Sequence, residues 1–197
     1  MLTGVVIRGY LQTIESEGLL GKVRELVPES TRAMIDRPPL VISTVSGTVL
    51  DDLLVAVERV RGRTAPRKIA RKTAGQFFGP VLKSLLQTTL AMFGSSPSAL
   101  LERMGGLTSL MVKEVDFRFE ETAEAHGTLT LVFPSPPPTA TLTAWEGICE
   151  FVFDFCQLRG TVAVHRSLDS GRRCEIDVSW GEALGTVAGV ASGGHNG

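Results

Sequence analysis

The stretch from Val112 to Trp180 constrains the fold more tightly than any other part of the chain. Val115, Phe117 and Phe119 alternate with Asp116, Arg118 and Glu120, the two-residue period of a strand with one face buried. Leu129, Leu131 and Phe133 resume the alternation after a polar turn around Ala125-His126-Gly127. Val162 and Val164, then Cys174, Ile176, Val178 and Trp180, form a second pair of strands about the turn Leu168-Asp169-Ser170-Gly171. Between the pairs, Thr141 to Leu158 carries Trp145, Phe151, Phe153 and Phe155, and its Leu142, Trp145, Cys149, Val152 and Cys156 follow the alternating three-and-four seam of a helix. The pattern predicts a β-hairpin, a largely apolar helix and a second β-hairpin.

The preceding residues read as helices. Val5 to Ile7 suits a short strand or a helix start. Tyr10, Leu11, Ile14, Leu19, Leu20, Val23 and Leu26 then have helical spacing, interrupted at Gly18 and Gly21 and ending near Pro28. Pro38-Pro39 marks 33–40 as a connection. Thr48 with Asp51 resembles a capping box ahead of the apolar face Val49, Leu50, Leu53, Leu54, Val57 and Val60, closed at Gly62. A helix follows from Thr64-Ala65-Pro66, broken at Gly79-Pro80 and continued to Gly94. A last short helix, Ala99 to Met104, is expected to close at Gly105-Gly106.

Helices first and strands afterwards make an α+β class: a helical N-terminal half packed on a C-terminal antiparallel four-stranded sheet. With 197 residues, 43% of them hydrophobic, one domain over 1–184 can bury a full core, and the Gly- and Ser-rich 185–197 is expected to be a disordered tail. The first residues, MLTGVVIRGYLQ, lack the features of a secretory signal, and no apolar run reaches membrane-spanning length. The expectation is a cytoplasmic chain that is not transmembrane. Pro134-Ser135-Pro136-Pro137-Pro138 is expected to be a stiff surface connector.

Two charged features stand out. Glu146, Glu150 and Asp154 lie four apart in one stripe on the central helix. A solvated edge is the first expectation, and a stripe docking basic side chains or a divalent cation is the second. Arg61, Arg63, Arg67, Lys68, Arg71 and Lys72 place six cations in twelve residues with no acid among them. They form a candidate basic surface, set against a plainly solvated helix face. With a net charge of −1 and no interleaved aromatics, nucleic acid is not an expected partner.

Catalytic chemistry finds no residues to carry it. There is no Gly-x-Ser-x-Gly elbow and no phosphate-binding loop. His126 falls in a predicted turn, His165 near a strand end and His195 in the tail, so no helical histidine can serve as an axial ligand to haem. Cys149, Cys156, Cys174 and His165 match no standard zinc spacing, and the odd cysteine count suits reduced core thiols. No metal site and no cofactor are expected.

Glu146-Gly147-Ile148-Cys149-Glu150-Phe151, the closing Cys174-Glu175-Ile176-Asp177-Val178-Ser179-Trp180 and the opening Gly4-Val5-Val6-Ile7-Arg8-Gly9 carry a resemblance. In these residues and in element order the chain resembles a myxobacterial family of unknown function related to haem-NO-binding and 4-vinyl-reductase-like domains. The resemblance covers most of the chain. It implies helices and a sheet enclosing a pocket that holds haem, small aromatic compounds or an acyl chain in different branches, with zinc in some relatives on a cysteine pair near the last hairpin. Here Cys174 is kept, but Ser167 stands where the upstream cysteine would be, which points away from zinc.

The functional expectation is a non-enzymatic small-molecule or lipid-binding sensory domain whose apolar pocket lacks haem and zinc ligands. Phe77, Phe78, Phe93, Phe117, Phe119, Trp145, Phe151 and Phe155 are the pocket candidates. The alternative is a protein-protein interaction module with a filled core, a homodimer among its forms, that acts in signalling or regulation through the basic run, the acidic stripe and the proline segment.

Overall fold

A computed structural model describes residues 1–76 and 96–183. The chain opens with β1 (Leu2–Thr3), α1 (Gly4–Ser16), α2 (Leu20–Leu26), α3 (Glu29–Asp36), β2 (Thr44–Val45) and α4 (Gly47–Arg61). A helix over 65–76 (α5) follows, then α6 (Pro97–Met111), β3 (Asp116–Ala123), β4 (His126–Val132), α7 (Thr139–Cys156), β5 (Leu158–Leu168) and β6 (Arg173–Ala183). The fold is α+β, with an antiparallel four-stranded sheet of order β3-β4-β6-β5. Each hairpin pairs internally, and β4 joins β6 across the middle through Leu129↔Ile176 and Leu131↔Cys174. Phe77, Phe78, the Gly79-Pro80 break, the helix expected up to Gly94 and the tail over 185–197 lie outside the described residues.

Several sequence expectations need local correction. Gly4 already begins α1, so Val5 to Ile7 are helical and the strand is confined to Leu2–Thr3. Part of the expected 33–40 connection belongs to α3, which stops at Asp36 before the two prolines. Ser46, not Thr48, caps α4: its hydroxyl accepts from the Thr48 N–H at 3.3 Å. The β3–β4 turn is Glu124-Ala125, with Ala125 left-handed at φ 59° and His126 already paired to Ala123. Gly105-Gly106 does not end α6, which runs on to Met111. At Gly105 a β-carbon would lie 3.2 Å from the Phe117 carbonyl oxygen, so the glycine lets α6 lie close on β3 and packing overrides its poor helix propensity.

The interior forms two clusters with α7 between them. On one side, Ile7, Ile14, Val23, Leu53, Leu54 and Val57 are sealed among the N-terminal helices and reach Ala140 and Ala144 of α7. On the other, Leu129, Leu131, Ile176 and Val178 of the sheet meet Trp145, Cys149, Val152 and Cys156 of α7 and Leu101 of α6.

The crossing of α5 over α7 depends on one glycine and a ladder of ion pairs. A β-carbon on Gly147 would stand 2.1 Å from the Arg67 carbonyl oxygen, so any side chain there would push the helices apart. Beside that contact the Arg67 guanidinium reaches Glu146 at 3.0 Å and Glu150 at 2.7 Å, and Arg71 reaches Glu150 at 3.5 Å and Asp154 at 2.5 Å. These contacts correct the solvated-edge expectation for the acidic stripe: it docks basic side chains supplied by the chain itself.

Candidate functional site

A cavity of about 230 Å³ lies where the helical half meets α7 and the end of the first hairpin. Val5, Val6 and Tyr10 of α1 form one wall, and Leu50, Asp51 and Leu54 of α4 a second. Ala70, Thr73 and Ala74 of α5, Met104, Thr108 and Met111 of α6, and Thr141, Ala144, Trp145 and Ile148 of α7 line the rest of the described wall. Helical periodicity places these side chains: Thr141, Ala144, Trp145 and Ile148 follow the three-four spacing of one α7 stripe. Phe133, Pro134, Ser135 and Pro137 border the same space, so the proline segment is a wall of the cavity as well as a connector.

The walls are mainly apolar, with a few polar groups at defined points. Thr141 Oγ1 donates to Asp51 Oδ1 at 2.6 Å and ties the first turn of α7 to the second turn of α4. The second oxygen of Asp51 has no protein partner among the described residues. Burial, reinforced by the neighbouring Asp52 charge, raises the Asp51 carboxyl above its ordinary range, against the opposing effect of the Thr141 hydrogen bond. Thr73 Oγ1 donates to Thr13 Oγ1 at 2.8 Å, and Thr13 passes the chain on to Gln76 Oε1 at 3.1 Å. Tyr10 is 5% exposed, and its hydroxyl makes no hydrogen bond among the described residues. Burial alone lifts its phenol well above the usual range, so it stays a protonated donor.

The lining described here includes no histidine, cysteine, arginine or lysine. No histidine occurs before His126, whose Nδ1 sits 2.9 Å from the Glu124 carbonyl oxygen at the hairpin turn. All three cysteines are free and buried, and burial pushes their thiols up, to about 12 for Cys149 and about 11 for Cys156 and Cys174. Ser167, in the position of the missing upstream cysteine, is the register partner of Cys174 on the neighbouring strand. Among the described residues, no three His, Cys, Asp or Glu side chains gather as a metal site would require.

Of the aromatic pocket candidates, Trp145 stands in the cavity wall. Phe117 packs behind it with ring centres 6.1 Å apart, Phe119 packs on Trp180 at 6.4 Å, and Phe151 on Phe155 at 6.1 Å. Phe117, Phe119, Phe151 and Phe155 therefore brace the sheet side and do not line this cavity, while Phe77, Phe78 and Phe93 lie outside the described residues. Tyr10, Asp51, Phe133 and Thr141 line it without having been singled out. Asp51 was legible as an acid three residues from Leu54 on an otherwise apolar face, but its place after Thr48 suggested a cap instead.

The basic run does not act as one surface. Arg67 and Arg71 are engaged with α7, and Lys72 bonds Glu17 of the turn after α1. Arg61, Arg63 and Lys68 are exposed and make no ion pair among the described residues.

No protein-family model matches the chain, and no curated protein matches it in sequence. Solved structures do match its fold. The Fe(II) unliganded H-NOX protein from K. algicida is 15% identical, with a TM-score of 0.67 over 94% of this chain and 100% of that one. An oxygen-binding H-NOX domain related to soluble guanylate cyclases is 13% identical, with a TM-score of 0.64 over 94% of this chain and 98% of that one. A structure described under the modulation of haem redox potential through protein-induced porphyrin distortion is 14% identical, with a TM-score of 0.65 over 94% and 98%. The chain has a haem-NO-binding-like fold.

Proposed function

We propose that this chain is a ligand-binding sensory domain that works in the cytoplasm without catalysing a reaction, and that its ligand is a small, mainly apolar molecule held in place of haem. The observation that carries the reading is the largely apolar cavity between α1, α4, α5, α6 and α7, with its few polar groups at fixed points. At about 230 Å³ it falls below the roughly 300–1,000 Å³ typical of sites for drug-sized ligands, which suits a small aromatic or short aliphatic compound.

The H-NOX neighbours raise haem as the obvious occupant, and the residues present do not fit it. Haem iron takes an imidazole, thiolate, thioether or phenolate axial ligand. No histidine precedes His126, no cysteine lines the described cavity, and the buried Tyr10 phenol holds its proton. Two methionines, Met104 and Met111, offer thioethers, but no described arginine or lysine in the wall would meet the propionates. Occupancy by a smaller molecule would bias the contact of α1 and α4 with α7, the element shared by both cores, and so pass a signal to the sheet.

Titration with hemin followed by absorbance tests the reading. Nonspecific, broad absorption is expected. A sharp, shifted Soret band saturating at one equivalent would overturn it. A protein-interaction reading draws on the loop before β2, where Leu40, Val41 and Ile42 are 73%, 53% and 90% exposed. Loss of a self-association seen by analytical ultracentrifugation in Ile42→Ser would support it, and a concentration-independent monomer of the unaltered chain would count against a homodimer.

A further inference from the structure

The charge of the cavity wall narrows the ligand class, an inference that rests on the ligand-binding reading above. Asp51 and Glu114 are the ionisable carboxylates among the described lining residues; the α-amino group of Met1, itself a lining residue, pairs with Glu114, and no described cation pairs with Asp51. Asp52, the next residue on α4, accepts from Thr31 Oγ1 at 2.6 Å and adds a third acid close by. An anionic ligand entering this space would meet the Asp51 carboxylate, which has no cationic partner among the described residues, while losing its own hydration, which costs free energy. A cation meets the reverse. Thr141 satisfies one oxygen of Asp51 and leaves the other without a protein partner among the described residues. A carboxylate so placed is a ready acceptor for a charge-assisted hydrogen bond. Trp145 places an indole in the same wall, and the apolar side chains of Val6, Leu54 and Ala144 can cover a hydrocarbon body.

We infer that the cavity selects a small organic ammonium, a protonated amine on an apolar aryl or alkyl body, anchored on the free oxygen of Asp51, and that it rejects carboxylates of the same size. The Asp51 carboxylate that turns away other carboxylates would equally oppose the propionates of a haem. The Tyr10 hydroxyl, a donor with no partner among the described residues, gives a second point of recognition if the amine's body carries an acceptor.

Three probes of matched shape test this by isothermal titration calorimetry on the full chain at pH 7: 3-phenylpropylamine, 3-phenylpropanoate and propylbenzene. The amine is expected to bind at least about tenfold more tightly than the carboxylate, the least that a hydrogen bond to a charged group contributes. Asp51→Asn is expected to remove that preference while leaving propylbenzene binding within about twofold. Equal binding of amine and carboxylate, or tighter binding of the carboxylate, with propylbenzene bound, would overturn the ammonium selection and leave the apolar-ligand reading standing. Failure of all three probes to bind would overturn both. An amine preference that survives in folded Asp51→Asn would also overturn the assignment to Asp51. Should Asp51→Asn fail to fold, the ranking of the three probes on the unaltered chain still decides the selection, and Asp51→Ser replaces it in the second arm.

Discussion

Helix α7 separates two interiors that differ in kind. Toward the sheet it presents Trp145, Cys149, Val152 and Cys156 to Leu129, Leu131, Ile176 and Val178, and the described side chains there interlock without a polar group from the strands. Toward the helices it presents Thr141 and Ala144, and there the interior carries the buried Thr13, Thr31 and Thr73, the half-buried Asp51 and the Tyr10 phenol, which has no hydrogen-bond partner among the described residues. Sheet strands are held by a ladder of backbone hydrogen bonds that fixes spacing and register, so small apolar side chains can close the gap completely. Helices laid across one another meet at few points, and space remains between the crossings. A fold that needs a cavity therefore opens it on the helical side.

The largest expected effect breaks the sheet side. Ile176→Ala removes most of a fully buried side chain from the centre of the sheet and should cost about 2–5 kcal/mol in urea denaturation. A smaller loss is expected at the boundary between the interiors. Gly147→Ala sets a methyl group against the Arg67 backbone, which cannot yield as a flexible side chain would, and should cost about 1–3 kcal/mol. If Gly147→Ala proved neutral, the close passage of α5 over α7 would not be the contact that joins the two halves.

The ion-pair ladder gives a graded comparison. Arg67 is 29% exposed and meets carboxylates that are 16% and 21% exposed, whereas Arg71 is 45% exposed. Arg67→Ala should cost about 1–2 kcal/mol and Arg71→Ala under about 1 kcal/mol, because solvent screens the outer pair. Raising salt should narrow the difference from the outer end inward. Equal losses at the two positions would show that burial does not grade the ladder.

The smallest effect concerns the cavity. The folded carboxyl of Asp51 titrates above its unfolded value, because burial opposes the charged form. Its contribution to stability is therefore present in full below the unfolded value and is lost as pH rises through the folded one. Asp51→Asn escapes that loss and keeps an oxygen for Thr141. It should match the parent chain in acid and exceed it at pH 7 by less than about 1 kcal/mol in urea denaturation. A variant less stable than the parent at pH 7 would show that the carboxylate is held for structure, with no cost carried for a ligand.

The contrast between the two sides also explains what the sequence disclosed. Alternation at Val115–Phe119, Leu129–Phe133 and Cys174–Trp180 is a period-two signal that only a half-buried strand satisfies, so the hairpins, the sheet and α7 were legible with small boundary shifts. The C-terminal stop of α6 was misread because Gly105 is chosen for the approach of Phe117, a contact no local pattern encodes. The stripe of Glu146, Glu150 and Asp154 and the run Arg67–Arg71 were each visible, but their pairing joins residues 79 and 83 positions apart. Cavity residues were harder still. Aromatic content drew attention to Phe117, Phe119, Phe151 and Phe155, which pack the closed side, because an apolar side chain that lines a space and one that fills it look alike in sequence. The polar exceptions, Tyr10, Asp51 and Thr141, carry the site, and helical spacing alone does not say that three separate helices bring them together.

Methyl NMR during titration with propylbenzene tests the central claim most directly, because it reads both interiors in one experiment. Saturable shifts are expected for Val5, Val6, Leu54, Ala144 and Ile148, which surround the cavity, with Leu129, Leu131 and Ile176 left nearly unmoved. Unchanged spectra at saturating ligand, or shifts centred on the sheet side instead, would contradict it.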